Sequence, residues 1–314
     1  MDLKELKIGN ITVPIPIIQG GMAVRISTAP LAAAVANEGG IGVIAGTGMS
    51  VDELRSEIRK ARQMTKGILG VNILFAVKEF ADLVKAAIKE DIDLVISGAG
   101  FSRDMFGWGK ESNTPIVPIV SSAKLAKMAE KLGASAVIVE GKEAGGHLGT
   151  DRPMMDILPE VCEVVKIPVI GAGGIIDGYD IAKAIKLGAS GVQMGTRFAA
   201  SIESNASQEM KDLYIKSTKE DVVHVNSPVG LLGQGLRNPF FNLVEEDSAK
   251  INSCQDCLKR CSRSFCIMDA LVNACSDGSY DKALIFAGEH VHRIKEILPV
   301  KDIFKNLLDE VSQA

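Results

Sequence analysis

Eight short runs rich in Val, Ile and Gly recur through the first 200 residues, at 13–20, 40–46, 67–75, 94–100, 116–122, 136–141, 169–174 and 191–198. Several are apolar almost throughout, as in Ile116-Val117-Pro118-Ile119-Val120. A strand with no polar face needs cover on both sides, which a parallel sheet flanked by helices provides. Amphipathic stretches supply that cover at 28–37, 51–64, 78–90, 123–132, 154–165 and 178–187. Ser50-Val51-Asp52-Glu53 has the pattern of a capping box, with Ser50 as cap and Glu53 reaching back. Lys124 to Leu132 runs into Gly133, and Lys183 to Leu187 into Gly188, the usual left-handed stop. The stretch 101–114 is the weakest and predicts a short helix at best. Eight β/α units in succession predict α/β architecture closed as a (β/α)8 TIM barrel. An open doubly wound sheet would carry fewer strands and a GxGxxG turn after the first, and no such turn is there.

At 314 residues the chain exceeds a simple barrel of about 250 by roughly 60. One barrel with a small accessory segment fits that surplus. The barrel is assigned to 1–220 and the accessory, cysteine-rich segment to 221–282. The chain then returns to the barrel within 283–314, with a closing helix expected near 283–296. The net charge of −4 and the lack of a basic run exclude nucleic acid and an anionic membrane surface as expected partners. No apolar run approaches the ~18 residues of a membrane span. The first residues lack the apolar core of a signal peptide, so a cytoplasmic protein with reduced thiols is expected.

Glycine is the compositional excess, at 31 residues. Much of it falls at the carboxyl ends of the predicted strands, where barrel enzymes carry their sites. These ends read Gln19-Gly20-Gly21-Met22, Ala45-Gly46-Thr47-Gly48, Ser97-Gly98-Ala99-Gly100, Gly141 to Gly146, Gly171-Ala172-Gly173-Gly174 and Gln193-Met194-Gly195-Thr196. Glycine only making turns would explain any one of them. Their concentration at one face predicts instead a phosphate held by 171–174 and 194–197, after strands seven and eight. A phosphorylated sugar and a flavin would both satisfy that pattern. Asn72 ends strand three, where an amide can pair with the edge of a ring system, although it could equally cap the next turn. His147 follows two glycines at the end of strand six and is the candidate for proton transfer, against the plain alternative of a solvent-facing loop histidine. His224, His290 and His292 read as surface or structural residues. Lys124, Lys127, Lys131 and Lys142 read as solvated charges.

Gln19 to Met22, Gly70-Val71-Asn72, Glu140 to His147, Gly171 to Ile175 and Gln193 to Phe198 together resemble the nitronate monooxygenase family and its relative, the flavin-dependent enoyl-acyl-carrier-protein reductase. The resemblance covers at least residues 8–205. It implies an FMN-binding TIM barrel in which Gly21, Met22 and Asn72 contact the flavin ring and Gln193 lies close to it. Gly145 and Gly146 join the cofactor contacts, Gly173, Gly174, Gly195 and Thr196 hold the phosphate, and His147 is the catalytic histidine. The implied activity is FMN-dependent oxidation of alkyl nitronates by O2 to a carbonyl compound and nitrite. The alternative is NAD(P)H-dependent reduction of an enoyl thioester or a quinone. A small-molecule substrate, O2 or NAD(P)H as co-substrate, and a homodimer are the implied partners. Ser121-Ser122 replaces the proline common in that loop of the reductases, which leans toward the monooxygenase.

The cysteines depart from the family pattern. Cys254-x2-Cys257-x3-Cys261-x4-Cys266, with Cys275 beyond, matches neither a zinc ribbon nor a ferredoxin spacing. A structural zinc or an iron–sulfur cluster on Cys254, Cys257, Cys261 and Cys266 is one expectation. Reduced thiols on a helix pair, with Cys257 and Cys261 on one helical face, is the other. Cys162 reads as a core residue of its helix.

Overall fold

The computed structural model describes residues 1–249, 251 and 254–314. Eight strands run parallel: β1 Ile17–Gln19, β2 Ile41–Ala45, β3 Ile68–Leu74, β4 Leu94–Gly98, β5 Ile116–Val120, β6 Val137–Glu140, β7 Val169–Ala172 and β8 Gly191–Met194. Each bonds to its successor, and β8 bonds to β1 through Val192↔Ile17 and Met194↔Gln19, which closes the barrel as expected. Seven helices follow strands β1 to β7 in order: α1 Ala29–Asn37, α2 Val51–Met64, α3 Phe80–Lys89, α4 Asp104–Ser112, α5 Ala123–Leu132, α6 Met154–Cys162 and α7 Gly178–Lys186. The helix Val300–Gln313 packs between α7 and α1 and completes the outer ring. It lies beyond the expected 283–296, where the chain instead makes only a 3-10 turn at Val291–Arg293. Among the described residues no helix is long and apolar enough to cross a membrane.

The predicted boundaries differ where local chemistry intervenes. The expected first strand, 13–20, is two elements. Ile11–Val13 pairs antiparallel with Leu6–Ile8, and only 17–19 enters the barrel. That hairpin puts Leu6, Ile8 and Val13 in one buried cluster with Ile18, Ile41, Val43, Leu94 and Ile138, so it plugs the barrel floor. Strand eight stops at Met194, because Thr196–Ala199 turns into a helical turn. The stretch 101–114 holds a nine-residue helix despite Gly107 and Gly109. A Cβ on Gly109 would sit 2.4 Å from Ile116 Cγ1, so that glycine lets α4 lie close on β5. Ser50 caps α2 by accepting from the Glu53 N–H, but the Glu53 carboxylate does not reach back. It pairs with Arg25 at 2.6 and 2.8 Å instead.

The barrel's narrowest seam is between β1 and β2, where backbone pairing reduces to Ile18↔Ile41. The Gln19 side chain completes it. Its Nε2 donates to Val43 O at 3.1 Å and its Oε1 accepts from Val43 N–H at 3.1 Å, with the whole residue buried. One amide thus does the work of a missing ladder rung. Nearby, α1 lies so close to β2 that a Cβ on Gly42 would fall 1.8 Å from Ala32 O.

Past the barrel, Val222–Asn226 and Leu232–Leu236 form a hairpin whose second strand pairs antiparallel with the short strand Gly146–Leu148. The cysteine-rich segment is neither a helix pair nor a cluster of converging ligands. Residues 254–266 hold no helix, and Ile267–Asn273 begins only after the last of the four cysteines. The segment is drawn out along residues 76–78, with Lys78 N–H donating to Cys257 O and Lys259 N–H to Ala76 O. Cys254 and Cys261 are exposed, Cys257 and Cys266 half-buried. Among the described residues no three His, Cys, Asp or Glu side chains gather where they could hold a metal ion. Cys162 is half-buried on α6, its thiol against Gly188 O at 3.4 Å.

Gln19→Leu keeps the volume and removes both side-chain bonds to Val43, leaving two buried main-chain groups of Val43 without partners. At about 1–3 kcal/mol for each such group, a loss of about 2–6 kcal/mol is expected in urea unfolding. An unchanged midpoint would show that the seam closes without this amide.

Candidate active site

The barrel strands all end on the same face, and one cavity opens there. It is lined by Gly21, Met22, Asn72, Gly145, Gly146, His147, Gly173, Gly174, Gln193, Gly195 and Thr196, which brings together every non-cysteine site residue expected from sequence. The four cysteines lie elsewhere, in a separate pocket beside Lys78.

Asn72, expected to end its strand, lies within β3, which continues to Leu74. Its Nδ2 donates to Gly21 O at 3.2 Å, and a Cβ on Gly21 would lie 2.4 Å from Asn72 Cβ. Glycine at 21 is therefore set by the approach of Asn72. That bond also fixes the amide orientation and leaves Asn72 Oδ1 buried without a partner. Gln193 Oε1 is likewise buried and unpartnered in the same cavity. Unpaired buried acceptors are rare in folded proteins and commonly mark a ligand position. Two successive left-handed glycines, Gly173 at φ +106° and Gly174 at φ +72°, turn the chain at the β7 end. Gly288 N–H donates to Thr196 Oγ1 at 2.9 Å, and His290 Nδ1 lies 2.8 Å from Gly174 O. The crossing segment 286–290 thus ties the two expected phosphate loops together. Bare backbone at one end and orphaned amide oxygens at the other fit a flat, phosphorylated cofactor.

His147 is held from three sides. Its strand pairs with the hairpin at Gly233, its ring meets Phe286 edge-on at 5.3 Å, and its Nε2 lies 2.8 Å from Ser227 Oγ. The loop before it is fixed by Glu143, whose carboxylate accepts from Met154 N–H at 3.0 Å, and by Gln234, whose Nε2 donates to Ala144 O at 2.8 Å. Burial pushes the imidazole down to about 4, so the ring is neutral near pH 7. Glu140, at the end of β6, faces the cavity with no charged partner, and burial pushes its carboxyl up to about 7.

Sequence reasoning did not single out Glu140, Ser227, His290 or Phe286. Glu140 carries a readable signal, a carboxylate at the inward end of an otherwise apolar strand. His290, expected to be a surface or structural residue, is part of the cavity wall. The irregular stretch 221–245 contributes Val229 to the lining, whereas Leu258, Ile267, Met268 and Leu271 of the cysteine-rich segment form an apolar side. Lys and Arg are absent from the described lining.

The two shifted groups give opposite pH slopes in the cofactor-free protein. The raised Glu140 carboxyl binds its proton more tightly when folded, so its contribution is lost as pH rises from the ordinary 4.5 through about 7. The lowered His147 imidazole contributes fully above 6.5, and that contribution is lost as pH falls toward about 4. Relative to the native chain, Glu140→Gln is expected to gain stability steadily toward neutral pH and His147→Gln toward acid, read from urea midpoints between pH 4 and 8. Curves parallel to the native one would contradict the burial of these groups.

Comparison with known proteins gives a consistent picture. The family profile described as nitronate monooxygenase matches residues 4–310. FabK from Thermotoga maritima is 38% identical, with a TM-score of 0.87, over 96% of this chain and 94% of that one. A protein of Staphylococcus aureus named "Probable nitronate monooxygenase" is 30% identical, covering 96% of both chains. A nitroalkane oxidase from Streptomyces ansochromogenes, 24% identical with a TM-score of 0.82 over 96% of both chains, shares the fold.

Proposed function

This chain belongs to the nitronate monooxygenase family of flavin-dependent oxidoreductases, and on that footing we propose that it is an FMN enzyme that uses NAD(P)H to reduce a neutral enoyl thioester. The observation that carries this reading is the charge of the cavity. Its described lining offers no Lys or Arg, the His147 ring is neutral, and the strand-end Glu140 carboxyl is uncharged or negative. A nitronate is an anion, and an anion moved into such a cavity loses its hydration without a fixed positive charge in return. A polarised alkene next to a carbonyl asks only for a hydrogen-bond donor and an apolar wall. The side formed by Leu258, Ile267, Met268 and Leu271 suits an acyl chain. The 38% identity to FabK over nearly the whole chain supports the same branch.

FMN, when bound, supplies the two-electron chemistry at its ring. The chain positions it. Asn72 and Gln193 offer the orphaned amide oxygens to the ring edge, with Gly21 and Met22 beside it. Gly173, Gly174, Gly195 and Thr196 cradle the phosphate, Gly145 and Gly146 clear the space before His147, and the apolar segment keeps water from the reacting face.

Nitronate oxidation is the second reading. It is favoured by the curated relatives that carry that name at 29–30% identity across 96% of the chain. The two separate in one pair of assays on FMN-loaded protein. NADH or NADPH is expected to be consumed without oxygen only when an enoyl thioester such as crotonyl-CoA is present. Nitrite formed in air from propyl-2-nitronate, with no thioester-dependent consumption, would reverse the assignment.

Asn72→Ala removes the Oδ1 acceptor and is expected to weaken FMN binding roughly 10- to 100-fold, from the ~1.5–3 kcal/mol of a buried bond of this kind. Quenching of FMN fluorescence on titration measures it. Affinity within twofold of native would rule out the ring contact.

A further inference from the structure

Ser227 lies in the turn of the hairpin that packs on the His147 strand. It is buried, with 5% of its surface exposed. Its main chain is fixed on both sides, since Ser227 N–H donates to Leu231 O at 3.0 Å and Gly230 N–H donates to Ser227 O at 2.9 Å. Its Oγ accepts from Val229 N–H at 3.4 Å and lies 2.8 Å from His147 Nε2. Among the described residues no other acceptor is within reach of the hydroxyl proton. If Nε2 carried the proton and gave it to Oγ, the serine proton would be left buried and unpartnered, which folded proteins avoid. The consistent arrangement has Oγ–H donating to an unprotonated Nε2.

We propose that Ser227 is a positioning residue that holds His147 in the Nδ1–H tautomer, so that the imidazole serves the site as a hydrogen-bond donor rather than as a base. Among the described residues Nδ1 has no hydrogen-bond partner, and it is not sealed away from the cavity that the ring lines. The substrate role rests on the thioester reading above. There, Nδ1–H donates to the thioester carbonyl oxygen and strengthens its bond as negative charge builds on that oxygen. His147 keeps its proton throughout, so the proton that completes reduction at the alpha carbon comes from solvent water rather than from this ring. The second ring nitrogen sets which nitrogen is the donor, as is general for functional histidines.

The test has a spectroscopic arm that needs no substrate. In FMN-loaded protein with 15N-labelled histidine, the His147 signals, assigned by their loss in His147→Gln, are expected to show a protonated Nδ1 and an unprotonated Nε2 at pH 7. Ser227→Ala is expected to give mixed tautomers and Ser227→Thr, which keeps the hydroxyl, to restore the native pattern. A protonated Nε2 in the native protein, or an unchanged pattern in Ser227→Ala, overturns the proposal whatever the substrate is. The kinetic arm uses the thioester assay. Ser227→Ala is expected to lower kcat about 10- to 100-fold with KM within twofold, and Ser227→Thr to recover most of it. A scrambled tautomer with native kcat would remove the positioning role. Should Ser227→Ala fail to fold, the native spectrum and Ser227→Thr still decide the tautomer. A native Nδ1–H pattern in a protein inactive on thioesters would leave the tautomer standing and retire only the thioester reading.

Discussion

Closure of the barrel depends on a seam where the backbone alone is short of hydrogen bonds. Between β1 and β2 a single residue pair is in register, and the Gln19 amide supplies the donor and the acceptor that the ladder lacks. Everything above the seam inherits its position. Gly20 N–H bonds to Met194 O one residue later, which sets β1 and β8 side by side at the rim. From there Gly21 meets Asn72 of β3, and Gln193 of β8 stands beside Gly20. A rim with its strand ends level puts bare backbone from seven or eight loops around one opening, which is why barrel sites gather residues far apart in sequence.

Much of the architecture was legible because burial on two faces leaves an unmistakable pattern. Ile116 to Val120 could only be an inner strand, and Gly133 could only end α5, where it takes φ +103°. The capping box at Ser50 was half right, since local sequence specifies the serine bond but not a competing arginine 25 residues upstream of it. Gly109 hid α4 for the same kind of reason. Its propensity is poor, and the compensation is a close approach to β5 that no window of sequence contains.

The site divides along the same line. Residues at strand ends were found by position, and they line one cavity. Residues that act on them from elsewhere were not. Ser227 and His290 sit in turns without periodicity, and each works through a partner 80 and 116 residues away. The crowding of cysteines at 254–266 suggested a metal because sequence shows how many thiols are near one another along the chain but not where they point. The chain is drawn out along residues 76–78, among the described residues no three of its thiols gather where they could hold a metal ion, and its apolar residues, Leu258 among them, become wall.

The crossing segment 286–290 carries a consequence in time. It joins Thr196 to Gly288, Gly174 to His290 and Glu143 to Glu289, so both loops of the proposed phosphate cradle depend on residues 286–290. During synthesis the strands and their loops emerge first, and the barrel cannot finish its outer ring until Val300–Gln313 arrives. A nascent chain therefore has the strand ends before it has the cradle. Under the proposed function the place for the cofactor is finished only once residues 286–290 have arrived, and a chain cut short before residue 286 lacks the bonds that tie the two loops together.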